Sequence, residues 1–157
     1  MADTQIYIDA DACPVKEETY RVARRYGLHV HVVANSFIRA PREATIHMVV
    51  VDSGPDVADD WIAERAGRGD IVVTADIPLA ERILKAGAEA LAPTGRSFTA
   101  ASIGAALAQR AVMEHLRSFG EGQGGPGPFG PSERSRYLSA LDAAVVRARK
   151  RAGEEKR

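Results

Sequence analysis

The sequence predicts an α/β domain of three layers, in which a mainly parallel sheet lies between helices. Short runs rich in valine and isoleucine, such as residues 71–74, are typical of strands that are buried on both faces. Segments with helical periodicity follow most of these runs, and repeated strand-helix units of this kind form parallel sheets. At 157 residues, the chain has the length of one domain.

These patterns predict five strands and five helices. The predicted strands cover residues 5–9, 29–34, 46–51, 71–74 and 89–91. The predicted helices cover residues 14–26, 57–66, 79–85, 100–117 and 133–150. Proline in a first helical turn and glycine after a last turn mark the ends of the first helix, at Pro14 and Gly27. Residues 35–45 have no periodicity and are predicted to form a loop.

Composition divides the chain into three parts. Residues 1–119 form the predicted α/β core, residues 120–131 a linker or flap, and residues 132–157 a C-terminal helix with a basic tail. Six glycines and three prolines between residues 120 and 131 argue against a regular element there. Ser132 is typical of a helix N-cap, and Tyr137, Leu141 and Val145 place an apolar stripe on the helix that follows.

Overall composition is that of a globular protein, with 45% apolar and 27% charged residues. One cysteine, Cys13, excludes an internal disulfide and a zinc site made of cysteines alone. A buried small residue is the favoured interpretation of Cys13, and a thiol nucleophile at a helix start is the alternative. No apolar run reaches the roughly 18 residues that a membrane span needs. We therefore expect a cytoplasmic protein without a membrane segment.

The four histidines do not have the spacing of a zinc site. The alternation of His29 and His31 predicts that both lie on one face of a strand. Structural roles are favoured for these two and for His47 and His115.

Charge is unevenly distributed although the formal net charge is zero. Residues 1–93 contain 15 acidic and 10 basic side chains, whereas residues 94–157 contain 6 acidic and 11 basic ones. A basic C-terminal part beside an acidic site would hold a polyanionic substrate. The alternative is that residues 147–157 form a solvated helix end with a frayed tail.

Aspartates recur where the predicted strands end. Because ligands bind at the carboxyl ends of the strands in an open α/β sheet, we expect these carboxylates to converge on one site. Converging carboxylates repel one another, and a hard divalent cation such as Mg2+ or Mn2+ relieves that repulsion by binding their oxygens. The pattern therefore predicts a metal-dependent hydrolase of phosphate esters. The residues concerned are Asp9, Asp11, Asp56, Asp59, Asp60 and Asp76.

Three of these aspartates have a structural explanation beside the functional one. Asp9 and Asp11 suit a turn followed by a helix N-cap. Asp76 precedes Pro78 and suits the N-cap of the next helix, and capping is compatible with metal binding there. Thr74 is expected either to hydrogen-bond a phosphate or to orient a ligand carboxylate.

Asp56, Asp59 and Asp60 open a predicted helix, where the helix dipole stabilises carboxylates that have no other role. For Asp56 alone, capping is the favoured interpretation. Asp59 is a metal-ligand candidate if it is buried beside Trp61 and Ile62, and Asp60 is expected to be solvated.

Five ordered motifs resemble the uncharacterised bacterial YaiI/YqxD family. They are DADACPVK (9–16), VVANS (32–36), GPDVADDWI (54–62), GDIVVTADIPLA (69–80) and GPFGPSERSRYLSALD (127–142), and they span nearly the whole chain. That family is similar in turn to PIN-like and NYN-type nucleases, through acidic residues at strand ends and the threonine-x-aspartate pattern.

The resemblance implies a PIN-like fold and a nuclease that uses Mg2+ or Mn2+ to act on RNA or single-stranded nucleic acid. It implies that Asp9, Asp76 and either Asp56 or Asp59 hold the metal, with Asp11 assisting. Asn35 is then a polar residue at the edge of the same crevice. The metal would activate a water molecule and neutralise charge on the phosphate.

Basic residues in predicted loops and at a helix start are the candidate contacts to the substrate backbone. Lys16 lies near the start of the first predicted helix, where it would contact a phosphate or remain a solvated lysine. Arg39, Arg42 and Arg96 lie in predicted loops and are expected to hold the substrate backbone.

Two other functions fit part of the pattern. The run that ends in Asp9 and Asp11 also fits the opening of haloacid-dehalogenase-type phosphatases, with Asp9 as nucleophile and Asp11 as acid and base. That family needs a lysine and a late acidic pair after Thr74, whereas the pair Asp59 and Asp60 precedes it. A non-catalytic nucleic-acid-binding module is the third interpretation. The few aromatic residues and the absence of the usual phosphate-binding loops weigh against it.

Overall fold

The structure is a computed structural model that describes residues 3–11, 13–105, 107–109 and 129–155. Its strands are β1 (Gln5–Asp9), β2 (His29–Ala34), β3 (Ile46–Val50), β4 (Ile71–Val73) and β5 (Glu89–Leu91). Its helices are α1 (Lys16–Tyr26), α2 (Val57–Arg65), α3 (Ile77–Lys85), α4 (residues 100–105 and 107–109) and α5 (Pro131–Glu155).

The five strands form one parallel sheet in the order β3-β2-β1-β4-β5. From β1 the chain builds outward through β2 to β3, and it then crosses back to place β4 on the other side of β1. The direction in which strands are added therefore reverses between β1 and β4. In an open parallel sheet, ligands bind in the crevice outside the carboxyl ends of two such strands.

Helices cover both faces of the sheet. On one face α1 and α5 bury a cluster that includes Ile6, Ile8, Val30, Tyr137 and Leu141. On the other face α2, α3 and α4 bury a cluster that includes Tyr7, Val33, Ile62, Leu79 and Ile103. The predicted three-layer α/β architecture is confirmed.

Most predicted elements agree with the structure to within two residues, and the largest differences concern helices. Gly27 ends α1 with a φ of 66°, as predicted for a glycine stop. Ser132 was predicted to cap the last helix, but α5 begins at Pro131 and places Ser132 in its first turn. The predicted linker and the second half of the fourth helix lie largely outside the described residues, and the three-part division of the chain stays a prediction.

The end of α5 continues as helix through residues 147–155, and its basic side chains are exposed, as the alternative of a solvated helix end expects, while residues 156–157 lie outside the described part. Ala148 and Ala152 are buried within it, and the Cα of Ala152 approaches Gly69 closely enough to exclude a side chain there. Arg147 forms an ion pair with Glu89 of β5 at 2.8 Å. This part of α5 therefore packs on the domain. No helix in the described part of the chain is long and apolar enough to cross a bilayer.

Three histidines form a stack on the sheet face that carries α2. His29 and His31 share this face, as predicted, and the ring nitrogens of His29 and His47 lie 2.8 Å apart. The ring of His31 stacks on Tyr7, and burial lowers the pKa of His31 to about 4. His115 lies outside the described residues. The structural role predicted for these histidines agrees with their mutual packing.

Candidate active site at the strand switch point

An open cleft of about 430 Å³ lies at the carboxyl ends of β1 and β4. Asp9 ends β1, and Asp76 follows β4 by three residues. Asp11 and Asp76 line this cleft together with Asp9, and the rest of its wall includes Cys13 and Pro93. The strand order therefore brings Asp76 to the neighbouring pair Asp9 and Asp11, from which it is far away in the chain.

Thr74 connects the two sides of the cleft. Its hydroxyl donates a hydrogen bond to Asp9 Oδ2 at 2.8 Å and accepts one from the backbone N–H of Asp76 at 3.0 Å. Thr74 is 1% exposed, which leaves it no surface for a substrate. Of its two predicted roles, the structure supports the orientation of a ligand carboxylate.

Asp76 caps α3, because its Oδ1 accepts the backbone N–H of Leu79 at 2.9 Å. The capping prediction is confirmed, and the same bond fixes the direction of the carboxylate beside the cleft. The other oxygen, Oδ2, accepts no hydrogen bond in the described part of the protein, so this carboxylate retains an acceptor for another group.

Asp59 adds a fourth carboxylate from α2. It is half-buried, and burial together with the negative charges of Asp76, Asp9 and Asp56 raises its pKa to about 6. Burial also raises the pKa of Asp9, and the charges of Asp76 and Asp11 raise it further, while the Thr74 hydrogen bond lowers it. Asp9 and Asp59 are therefore harder to ionise than isolated carboxyl groups.

Asp56 does not cap α2, contrary to the favoured interpretation of its sequence position. It is the N-cap residue by position, but its side chain makes no capping hydrogen bond. Its φ of 66° is the one positive value at a non-glycine residue in the described part. Asp60 is exposed, as expected, and Arg82 of α3 pairs with it at 2.7 Å. Asp56 thus holds an uncommon backbone conformation that capping does not explain.

Asp11 is tied to the loop that follows β2. Its Oδ2 accepts the backbone N–H of Asn35 at 3.4 Å, and a role of the Asn35 side chain in the cleft stays a prediction. Lys16 donates to the backbone carbonyl of Cys13 at 2.7 Å, next to the cleft wall. Cys13 is buried, as favoured, and burial raises the pKa of its thiol. A raised thiol pKa argues against a thiolate nucleophile.

Comparison with known proteins identifies the family. The family model described as "Uncharacterized BCR, YaiI/YqxD family" matches residues 7–147. The chain belongs to the YaiI/YqxD family. It is 63% identical over 147 residues to a protein named UPF0178 of Caulobacter sp. (strain K31), covering 94% of this chain and 97% of that protein. It is 64% identical over 148 residues to a UPF0178 protein of Azorhizobium caulinodans, covering 94% and 92% respectively. No solved structure matches the chain.

The arginines predicted to hold substrate lie in loops of this YaiI/YqxD chain, and none of them lines the cleft. Arg39, Arg42 and Arg96 are exposed. No acidic side chain of the described residues pairs with any of the three. Their charges are therefore available to a polyanion, and their contact with substrate stays a prediction.

Two residues near the site were not predicted. Arg82 pairs with Asp60 and lowers the pKa of Asp59 through its charge, and only the packing of α3 against α2 reveals this. Phe37 is 75% exposed in the loop after β2. The sequence signal for Phe37 is an aromatic residue in a segment without periodicity, between Asn35 and Arg39.

The side chains around the cleft carry the kind of atoms that bind a hard cation, but they do not form a closed cage. The carboxylates of the cleft offer oxygen atoms, which are the ligands that Mg2+ and Mn2+ prefer. Among the described residues, no three His, Cys, Asp or Glu side chains are close enough to enclose an ion. Mg2+ is usually held by one or two carboxylates, with water and substrate phosphates as its other ligands. An open pair such as Asp9 and Asp76 fits that mode of binding.

Proposed function

We propose that this protein is a Mg2+- or Mn2+-dependent nuclease that hydrolyses phosphodiester bonds in RNA or single-stranded nucleic acid. The observation that carries the proposal is the convergence of Asp9, Asp11 and Asp76 in an open cleft at the strand switch point. Asp59 lies within electrostatic reach of Asp9 and Asp76, and its pKa is raised by burial first and by their charges second. Strongly shifted carboxylates in a cleft are characteristic of catalytic sites.

The side chains of the cleft have distinct tasks in this proposal. Asp9, oriented by Thr74, and Asp76, oriented by the N–H of Leu79, present fixed oxygens to a cation. A divalent cation bound there supplies positive charge that offsets the charge of the phosphate and increases the acidity of water. Asp59, whose pKa in the metal-free protein is raised to about 6 by burial and by the charges of Asp76 and Asp9, is the candidate for proton transfer.

The substrate class follows from charge and access. The cleft is open, as a polymer substrate requires, and the exposed Arg39, Arg42 and Arg96 lie in the loops after β2 and β5. Arginines pair with phosphate oxygens through two parallel hydrogen bonds, so they suit a polynucleotide backbone. Nucleic acid is therefore the proposed partner, and RNA is the form inferred for it.

The test is cleavage of end-labelled single-stranded RNA and DNA in Mn2+, with and without EDTA. Wild type should cleave RNA, and Asp9→Asn and Asp76→Asn should each reduce the rate by more than about 100-fold, because even groups that only support a metal ligand are worth 10- to 100-fold. Glu64→Gln, an exposed carboxylate on α2, is the matched control and should cleave at the wild-type rate. Equal rates for wild type and both aspartate variants would indicate a contaminating nuclease and contradict the proposal.

The phosphatase alternative needs a lysine after Thr74, and Lys85 is the sole lysine between Thr74 and α5. Lys85 is exposed on α3 and pairs with Glu81 at 3.5 Å, so it does not line the cleft. A haloacid-dehalogenase-type phosphatase forms an aspartyl-phosphate, here on Asp9, which beryllofluoride mimics. Titration with beryllofluoride separates the two functions, because stoichiometric binding that depends on Asp9 would favour the phosphatase. RNA binding without any cleavage would favour the non-catalytic module.

A further inference from the structure

We propose that Phe37 is a stacking platform for a nucleobase of the single-stranded substrate beside the carboxylate cleft. This inference rests on the proposed function and specifies how that site recognises its substrate. At 75% exposure, Phe37 is the most exposed large hydrophobic residue in the described part of the chain. A single exposed apolar residue is common, so its exposure becomes informative through the way the surrounding loop is held.

The loop that carries Phe37 is anchored on both sides of the ring. Two residues before it, the backbone N–H of Asn35 donates to Asp11, which lines the cleft. Directly after it, Ile38 and then Ala40 pack against the hydrophobic cluster beneath α1. The exposure of Phe37 is therefore a consequence of a fixed loop in which the next apolar side chain turns inward.

A second anchor lies further along the same loop. Glu43 accepts hydrogen bonds from Arg24 of α1 and forms an ion pair with it. With Asn35 and Glu43 both attached, the segment between them has little freedom to fold Phe37 onto the domain. A pre-positioned ring binds a base with a smaller loss of conformational entropy than a mobile one.

Positive charge accompanies the ring. Arg39 and Arg42 lie two and five residues after Phe37, are exposed, and have no ion pair among the described residues. Proteins that bind single strands combine cations, which follow the phosphates, with aromatic rings, on which bases stack. The loop thus carries both kinds of contact, and the ring lies two residues after Asn35, whose backbone is bonded to a carboxylate that lines the cleft.

The other aromatic side chains of the described residues are engaged by the protein itself. Tyr7, Tyr20 and Tyr137 are buried, and Phe98 packs on a core cluster. Arginine side chains cover the rings of Trp61, Phe129 and Tyr26. Within the described part, Phe37 is accordingly the ring whose faces are accessible to a base. A low content of aromatic residues therefore does not argue against base stacking, because one well-placed ring suffices for one stacking site.

The decisive measurement compares two ligands that differ only in their bases. Fluorescence anisotropy in EDTA gives the affinity for an adenine oligonucleotide about ten nucleotides long, within the usual range of single-strand site sizes. The same titration uses an abasic oligomer of equal length and charge. Phe37→Ala should weaken binding of the adenine oligomer by about five-fold or more, the effect of removing one stacking ring, and leave binding of the abasic oligomer unchanged.

Three further variants separate stacking from hydrophobicity and from folding. Phe37→Trp keeps an aromatic ring and should retain the affinity, whereas Phe37→Leu keeps an apolar side chain and should bind as weakly as Phe37→Ala. Val146→Ala removes an exposed apolar side chain from α5 and should have no effect. Equal affinities for all variants, an equal loss on the abasic oligomer, or no binding by wild type would overturn the inference. If wild type were a dimer and Phe37→Ala a monomer, the ring would be assigned to the contact with a second copy of the chain instead.

Failure of this inference is distinguishable from failure of the proposed nuclease. Binding is measured without divalent ions, so a protein that cleaves nothing still shows whether Phe37 stacks on a base. Conversely, cleavage that depends on Asp9 and Asp76 stands even if Phe37→Ala binds RNA as wild type does.

Discussion

Thr74 donates a hydrogen bond of 2.8 Å to Asp9 Oδ2, across the boundary between β4 and β1. The two residues are 65 positions apart in the chain and meet because β4 pairs with β1. The same hydroxyl accepts the backbone N–H of Asp76. The buried Thr74 side chain therefore fixes the carboxylate of Asp9 at the end of β1. It also fixes the backbone of Asp76, which carries the second carboxylate.

Replacing Thr74 with valine should destabilise the protein by about 1 to 3 kcal/mol, because an N–H and a carboxylate lose their partner in a buried setting. The pKa of Asp9 should also rise further, since the Thr74 hydrogen bond lowers it. Urea denaturation at neutral pH measures the change in stability. Thr74→Ser keeps the hydroxyl and serves as the control. A valine variant as stable as wild type would show that the hydroxyl contributes nothing to the fold.

The sequence was sufficient to place the aspartates at strand ends, since strand periodicity and the residues that end a strand are local signals. It did not determine which strand ends become neighbours. Asp9 and Asp76 meet because β4 lies beside β1, and the strand order depends on the packing of the whole sheet. Asp56 was interpreted as a cap because the residues around it resemble a helix start. Its backbone is left-handed and its side chain makes no capping hydrogen bond. No local sequence pattern predicted that conformation.

The contacts that the end of α5 makes with the domain could not be predicted, for a related reason. Basic residues dominate residues 147–151, and a cluster of like charges suggests a solvated surface. Ala148 lies within this basic run and Ala152 directly after it, one turn apart, and both are buried against the domain. Alanine contributes little to a hydrophobic pattern, so a close contact through alanine and Gly69 is visible only in the folded chain.

If the carboxylates hold a divalent cation, millimolar Mn2+ should raise the melting temperature of wild type. The stabilisation is about 2.7 kcal/mol when the free ion is at a hundred times its Kd, which corresponds to several degrees for a domain of this size. Asp9→Asn should lose most of that gain. The same variant should melt above wild type in EDTA, because its side chain can still accept from Thr74 while repulsion with Asp76 and Asp11 is gone.

Differential scanning calorimetry with and without Mn2+ checks both halves of this expectation. Glu64→Gln is the control for the loss of a carboxylate that lies on the surface of α2, and it should respond to Mn2+ as wild type does. A melting temperature of wild type that does not change with Mn2+ would contradict a metal site in the cleft.

Asp59 should make the stability of the metal-free protein depend on pH. Its pKa rises from 3.8 to about 6 on folding, so the native state binds the proton more tightly than the unfolded state does. The stability that this provides is fully present below pH 3.8 and is lost as pH rises through about 6. The free energy of unfolding of wild type, relative to Asp59→Asn, should therefore fall across this range. Urea denaturation in EDTA at several pH values measures it, and a constant difference would show that Asp59 titrates normally.

Arg147→Ala should destabilise the domain by about 1 kcal/mol, near the upper limit for an ion pair with an exposed arginine. Its partner Glu89 lies on β5 and is only 13% exposed, and the remaining basic neighbour, Arg151, is 3.9 Å away. Lys150→Ala is the matched control, because it removes a neighbouring exposed cation that makes no ion pair among the described residues. Urea denaturation should separate the two variants, with Lys150→Ala within a few tenths of a kcal/mol of wild type. Equal stabilities of both variants would show that the ion pair of Arg147 with Glu89 contributes nothing measurable to the attachment of this end of α5.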